Sequence, residues 1–70
     1  MSELEIVVVK LYLGRKFVCY MQDYLGRWET TADINFAHEF VNRTDEAKII
    51  AQELCDRMGR NWRFDIEIVQ

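Results

Sequence analysis

The amino-acid sequence predicts a small α+β domain: an antiparallel sheet in the order β-β-β-α-β, covered on one face by a single helix. Three observations carry this. Two N-terminal runs are dense in β-branched and aromatic residues and end at glycine-bearing turns. A later segment carries an apolar stripe at helical spacing, and the last segment alternates apolar with charged residues. Half of the 70 residues are hydrophobic, proline is absent and glycine appears three times, which leaves no linker, so 1–70 reads as one domain.

The elements follow in order. Leu4 to Leu13, LEIVVVKLYL, reads as a strand that stops at Gly14-Arg15, and Lys16 to Asp23, KFVCYMQD, as a second that stops at Gly26-Arg27. Arg27 to Ala32 alternates more weakly and makes a third, completing a meander. Asp33 to Val41 fits one capped helical turn, with Ile34, Ala37 and Val41 at helical spacing, running into an extended connector that buries Phe40. Thr44 is placed to cap the main helix, with Asp45 and Glu46 in its first turn. Ala47, Ile50, Ala51, Leu54 and Met58 form its apolar stripe, and Gly59 ends it, with Arg57 before and Arg60 just beyond. Trp62 to Val69 is a half-buried strand. Tyr-Leu-Gly-Arg occurs at 12–15 and again at 24–27; successive hairpin turns lie at opposite ends of a sheet, so the echo reads as shared turn chemistry rather than two arginine loops on one ligand.

The register of the first hairpin decides which face is the core. A two-residue loop, Gly14-Arg15, pairs Tyr12 with Phe17 and Lys10 with Cys19, which sets an ammonium on the apolar face. A three-residue loop, Gly14 to Lys16, pairs Leu13 with Phe17, Leu11 with Cys19 and Val9 with Met21, and gives one clean apolar face. The second is expected. The inner face is then Val7, Val9, Leu11, Leu13, Phe17, Cys19 and Met21, with Trp28, Trp62, Phe64, Ile66 and Ile68, beneath the helix.

The outer face carries the functional expectation. Ile6, Val8, Lys10 and Tyr12 lie there beside Val18, Tyr20, Gln22 and Tyr24, and Arg63, Asp65 and Glu67 are its solvated positions on the last strand. Val8, Tyr12, Val18, Tyr20 and Tyr24 make a larger apolar and aromatic patch than a monomer usually exposes, and tyrosine is favoured at interface centres. The competing reading is that sheet twist or the 33–41 connector covers part of it. A homodimer, or capture of a host protein, is the expected use.

Other chemistries find little support. His38 is the lone histidine, in a short connector, and reads as a surface or capping residue; Ser2 is the lone serine and sits at a chain end. Cys19 and Cys55 lack metal or redox spacing and read as buried thiols. The acidic residues form no metal motif and the glycines no phosphate loop, so no catalytic residue, metal or cofactor is expected and the chain reads as no enzyme. A net charge of −3 disfavours nucleic acid. The alternative function is single-strand binding through Arg57, Arg60, Trp62 and Arg63, with Lys16 or Arg27 nearby. Against it, Trp62 opens the core alternation and Arg57 and Arg60 complement a helix C-terminus. The longest fully apolar run, Ile6 to Val9, spans no membrane, and the N-terminus has no signal-peptide pattern, which points to the cytoplasm.

Asp33-Ile34, Ala37 and Phe40, followed by Thr44, Glu46-Ala47, Ile50-Ala51 and Leu54, resemble a pattern in small phage- and prophage-encoded proteins. In these, a hairpin and a Trp-containing strand lead to a (D/N)-I-x-x-A-x-x-F segment, a capped helix and a final strand. The resemblance covers Arg27 to Leu54, while the first strand here is more apolar than the pattern. It implies a mobile-element accessory protein acting stoichiometrically on a host or defence protein, and carries over no functional residue.

Overall fold

A computed structural model describes residues 4–70; Ser2 lies outside them. The order is β1 (Ile6–Leu13), β2 (Lys16–Tyr24), β3 (Arg27–Thr31), a 3-10 turn (Ile34–Phe36), β4 (Phe40–Val41), α1 (Thr44–Met58) and β5 (Trp62–Ile68). All strands join one antiparallel sheet in which β1 is central. It pairs with β2 and the short β4 along one edge and with β5 along the other, while β3 pairs with β2. The α+β class, with one helix over one face, is as the sequence predicts.

The connector behaves differently from a simple linker. Beyond Lys10↔Tyr20 no further pairs join β1 to β2, and residues 38–41 fill the wedge. The His38 amide donates to the Met21 carbonyl at 3.0 Å, and β4 pairs Phe40 with Val7. Phe40 is thereby buried, as expected, stacking on Trp28 at 5.7 Å. His38 is no free surface group: its ring packs edge-on against Trp28 and Phe40 at 5.2 and 4.6 Å. Asp33 caps the 3-10 turn by accepting from the Asn35 amide, but Ile34 and Val41 remain exposed and only Ala37 is buried.

The first hairpin uses parts of both registers. Leu13 pairs with Lys16 around a two-residue Gly14-Arg15 turn, with Gly14 at φ 65°, yet Leu11 pairs with Cys19. A β-bulge reconciles them: Tyr12 pairs with Phe17 and Val18 is the extra residue. The turn is satisfied at one end and Lys10 stays off the core at the other. The consequence is a correction, since the bulge carries Phe17 to the outer face. Leu13 and Ile68, also expected inside, are exposed; one lies at the hairpin end and the other near the end of an edge strand.

The two Tyr-Leu-Gly-Arg segments do not turn alike. In the second, Tyr24 and Arg27 close the hairpin, and Leu25 and Gly26 form the turn, both at positive φ.

Helix α1 buries Ala47, Ala51, Leu54 and Cys55 over Val7, Val9 and Leu11, with Ile50, Met58, Trp62, Phe64 and Ile66 half-buried around them. Thr44 does not cap it: Arg43 holds that position, and the Thr44 hydroxyl donates to the Glu5 carboxylate. At the other end Arg57 donates to the Trp28 carbonyl at 3.2 Å, tying helix to β3.

Candidate interaction surface

Among the described residues no helix lies over the outer face, and its centre is an aromatic cluster. Tyr12 and Phe17 meet edge-to-face at 5.7 Å, and Phe17 and Tyr20 at 5.1 Å. Lys10 lies beside them, its ammonium 5.4 Å from the Phe17 ring and 5.8 Å from the Tyr12 ring. It also reaches Glu67 at 3.9 Å. The lysine is held above its ordinary value, chiefly by the adjacent Tyr12 hydroxyl; desolvation opposes this, and Glu67 and Tyr20 add to it. Each of these groups arrives by strand alternation, except Phe17, which arrives through the bulge.

The sequence-derived interface is therefore only partly assembled. Tyr12 and Tyr20 share the cluster through Phe17. Tyr24 is exposed but lies four residues along β2 from Tyr20, about 13 Å at strand rise. There it borders a shallow depression of about 340 Å³ with Gln22, Leu25, Arg27, Glu29 and Thr30. Val18 is the half-exposed bulge residue. Val8 is a correction: it faces outward by alternation, yet only 2% of it is accessible. Glu67 lies directly opposite on β5, Ile6 and Lys10 flank it along β1, and the Lys10–Glu67 pair bridges that flank.

Phe17 is the residue that sequence reasoning placed on the wrong face; Lys10 was placed on the outer face but not counted among the interface residues. The two-residue Gly14-Arg15 turn was the signal, because it sets Phe17 opposite Tyr12; both hairpin demands hold at once only with the bulge.

The arginine–tryptophan set does not converge. Trp62 packs against the core on the helix side of β5, while Arg63, the next residue, projects to the other side. Arg57 is engaged with Trp28, and Arg60 lies exposed in the turn before β5. Arg27 pairs with Glu29 at 3.5 Å.

Both thiols are buried and free, and burial pushes each above the ordinary cysteine value; a Thr30 contact partly offsets this at Cys19, and Asp56 adds to it at Cys55. Among the described residues, no three His, Cys, Asp or Glu side chains gather as a metal cage, and no helix is long and apolar enough to cross a membrane. Comparison with protein-family models, with curated proteins and with solved structures returns no match.

Proposed function

We propose that this chain is a non-catalytic protein-interaction module whose outer sheet face binds a protein partner. The observation that carries the reading is the Tyr12–Phe17–Tyr20 cluster around Lys10, aromatic area held on a face over which no helix of the described residues lies. Tyrosine supplies rigid contact area with a polar tip, the composition that dominates interface hot spots. The groups on this face suit contact rather than bond-making. Lys10 offers this face a cation set against aromatic rings, its ammonium 5.4 Å from the Phe17 ring and 5.8 Å from the Tyr12 ring.

The resemblance of 27–54 to small phage-encoded proteins gives this module a setting: a mobile-element accessory protein that binds and modulates a host or defence protein. The reducing cytoplasm is its compartment, where two unpaired buried thiols are at home.

The test is capture of a partner from host lysate by wild type, Phe17→Asp and Tyr20→Glu. Both substitutions place a carboxylate in the cluster and leave the helix-packed face alone. Folded variants that lose a partner held by wild type support the reading. Variants that retain every partner refute it.

A further inference from the structure

We infer that β5 is a self-pairing edge: two copies of this chain join their β5 strands antiparallel about a two-fold axis at Phe64, making one continuous sheet. This concerns the backbone edge of β5, which adjoins the aromatic cluster across the Tyr12↔Arg63 and Lys10↔Asp65 pairs, and goes beyond the function proposed above.

The first step is which backbone groups β5 leaves open. Gly14 donates to the Asn61 carbonyl at 2.9 Å, and Val69 to the Ile6 carbonyl at 2.8 Å. Hydrogen-bonded pairs alternate along an antiparallel ladder, so Arg63, Asp65 and Glu67 bond to Tyr12, Lys10 and Val8. Phe64, Ile66 and Ile68 therefore turn their amides and carbonyls away from β1, where none of the described strands pairs with them. The Ile66 amide confirms the direction, since it finds only the Asp65 carboxylate, at 2.8 Å. An open strand edge of this kind is a template for another strand.

The second step is the occupant. The inner-face row is fully buried on β1, at Val7, Val9 and Leu11, but Trp62, Phe64 and Ile66 beside it on β5 remain half-open at this edge. A strand laid along β5 extends the sheet over which those side chains pack.

The third step is register, which charge decides. Two-fold pairing brings outward groups face to face only when the axis passes through a residue of β5. An axis at Arg63, at Asp65 or at Glu67 sets like charges opposite each other, and an axis at Ile66 sets Asp65 against Glu67 twice. Only the axis at Phe64 gives purely opposite pairs, Arg63 against Asp65 of the second copy, twice. Phe64 then meets its own copy, and Trp62 meets Ile66. Arg63 and Asp65 are in no ion pair among the described residues, so both are free for this use. On pairing, Asp65 leaves the Ile66 amide, which finds a carbonyl on the neighbouring strand.

The experiment is sedimentation equilibrium on the full chain, from about 1 µM to about 1 mM, for wild type, Arg63→Asp, Asp65→Arg and the double exchange. Wild type is expected to dimerise. Each single change sets like charges opposite each other twice and weakens the dimer roughly tenfold or more, and the double exchange restores it. Rescue excludes a merely structural effect of either residue, because both positions then carry reversed charge. A wild type that stays monomeric throughout overturns the inference and makes Asp65 a blunting device on a solvated edge. Single variants as tight as wild type, or a double exchange no tighter than the singles, overturn it as well.

Discussion

Leu25 occupies the left-handed region at φ 53° in the turn between β2 and β3, followed by Gly26 at φ 79°. A side chain with a bulky Cβ substituent is strained there, by about 1–2 kcal/mol relative to the right-handed well. Nothing in the fold offsets this through packing, since Leu25 is 85% exposed. Leu25→Asn removes most of the strain and creates the Asn-Gly pair that such two-residue hairpin turns favour. Asn42 already adopts the same conformation, at φ 55°, while its side chain accepts from the Glu5 amide. The expected gain is about 1 kcal/mol, which in a domain of this size raises Tm by about 4–8 °C. Thermal unfolding followed by circular dichroism, at matched concentration, reads it directly. An unchanged or lowered Tm would refute the turn assignment, and with it the claim that the second Tyr-Leu-Gly-Arg segment turns one residue earlier than the first.

Three further outcomes are expected. Leu54→Ala, at a site only 5% exposed beneath the helix, costs about 2–5 kcal/mol, measured by urea unfolding where the variant still folds. Val8→Lys unfolds or strongly destabilises the chain despite its outward-facing position, because burial leaves an ammonium without solvent; a stable variant with native circular dichroism would contradict the burial of Val8. Burial raises both cysteines above their ordinary value of 9.0, so the stability they confer is complete below that value and falls as pH climbs through it. Urea unfolding at about pH 8 and about pH 10 should show a steeper loss in wild type than in a Cys19→Ala, Cys55→Ala double variant, and equal slopes would contradict this.

Periodicity made most of the fold legible. The stripe Ala47, Ala51, Leu54 on the helix and the alternation of Trp62, Phe64, Ile66 on the last strand each announce a buried face, and the structure buries or half-buries those residues. What periodicity could not show was local compromise. The first hairpin had two good registers, one favoured by turn geometry and one by the core, and a bulge at Val18 lets both stand. That single residue moves Phe17 from the expected core to the centre of the outer cluster. Val8 shows the converse limit. Alternation gives the direction of a side chain, but the long neighbours on the same face decide how much water it meets. Likewise Thr44 has the chemistry of a cap, yet Glu5, distant in sequence, takes its hydroxyl.

The central claim is that the outer face, around Phe17, is where a protein partner sits. Replacing Phe17 with the photo-crosslinker p-benzoylphenylalanine, and in a second chain Ile49, tests it most directly. Ile49 is an exposed apolar residue on the helix, at 63% accessibility against 38% for Phe17, and the helix covers the opposite side of the sheet. Irradiation with the captured partner should yield a covalent adduct from position 17 and none from position 49. An adduct from position 49 alone, with none from position 17, would contradict the account.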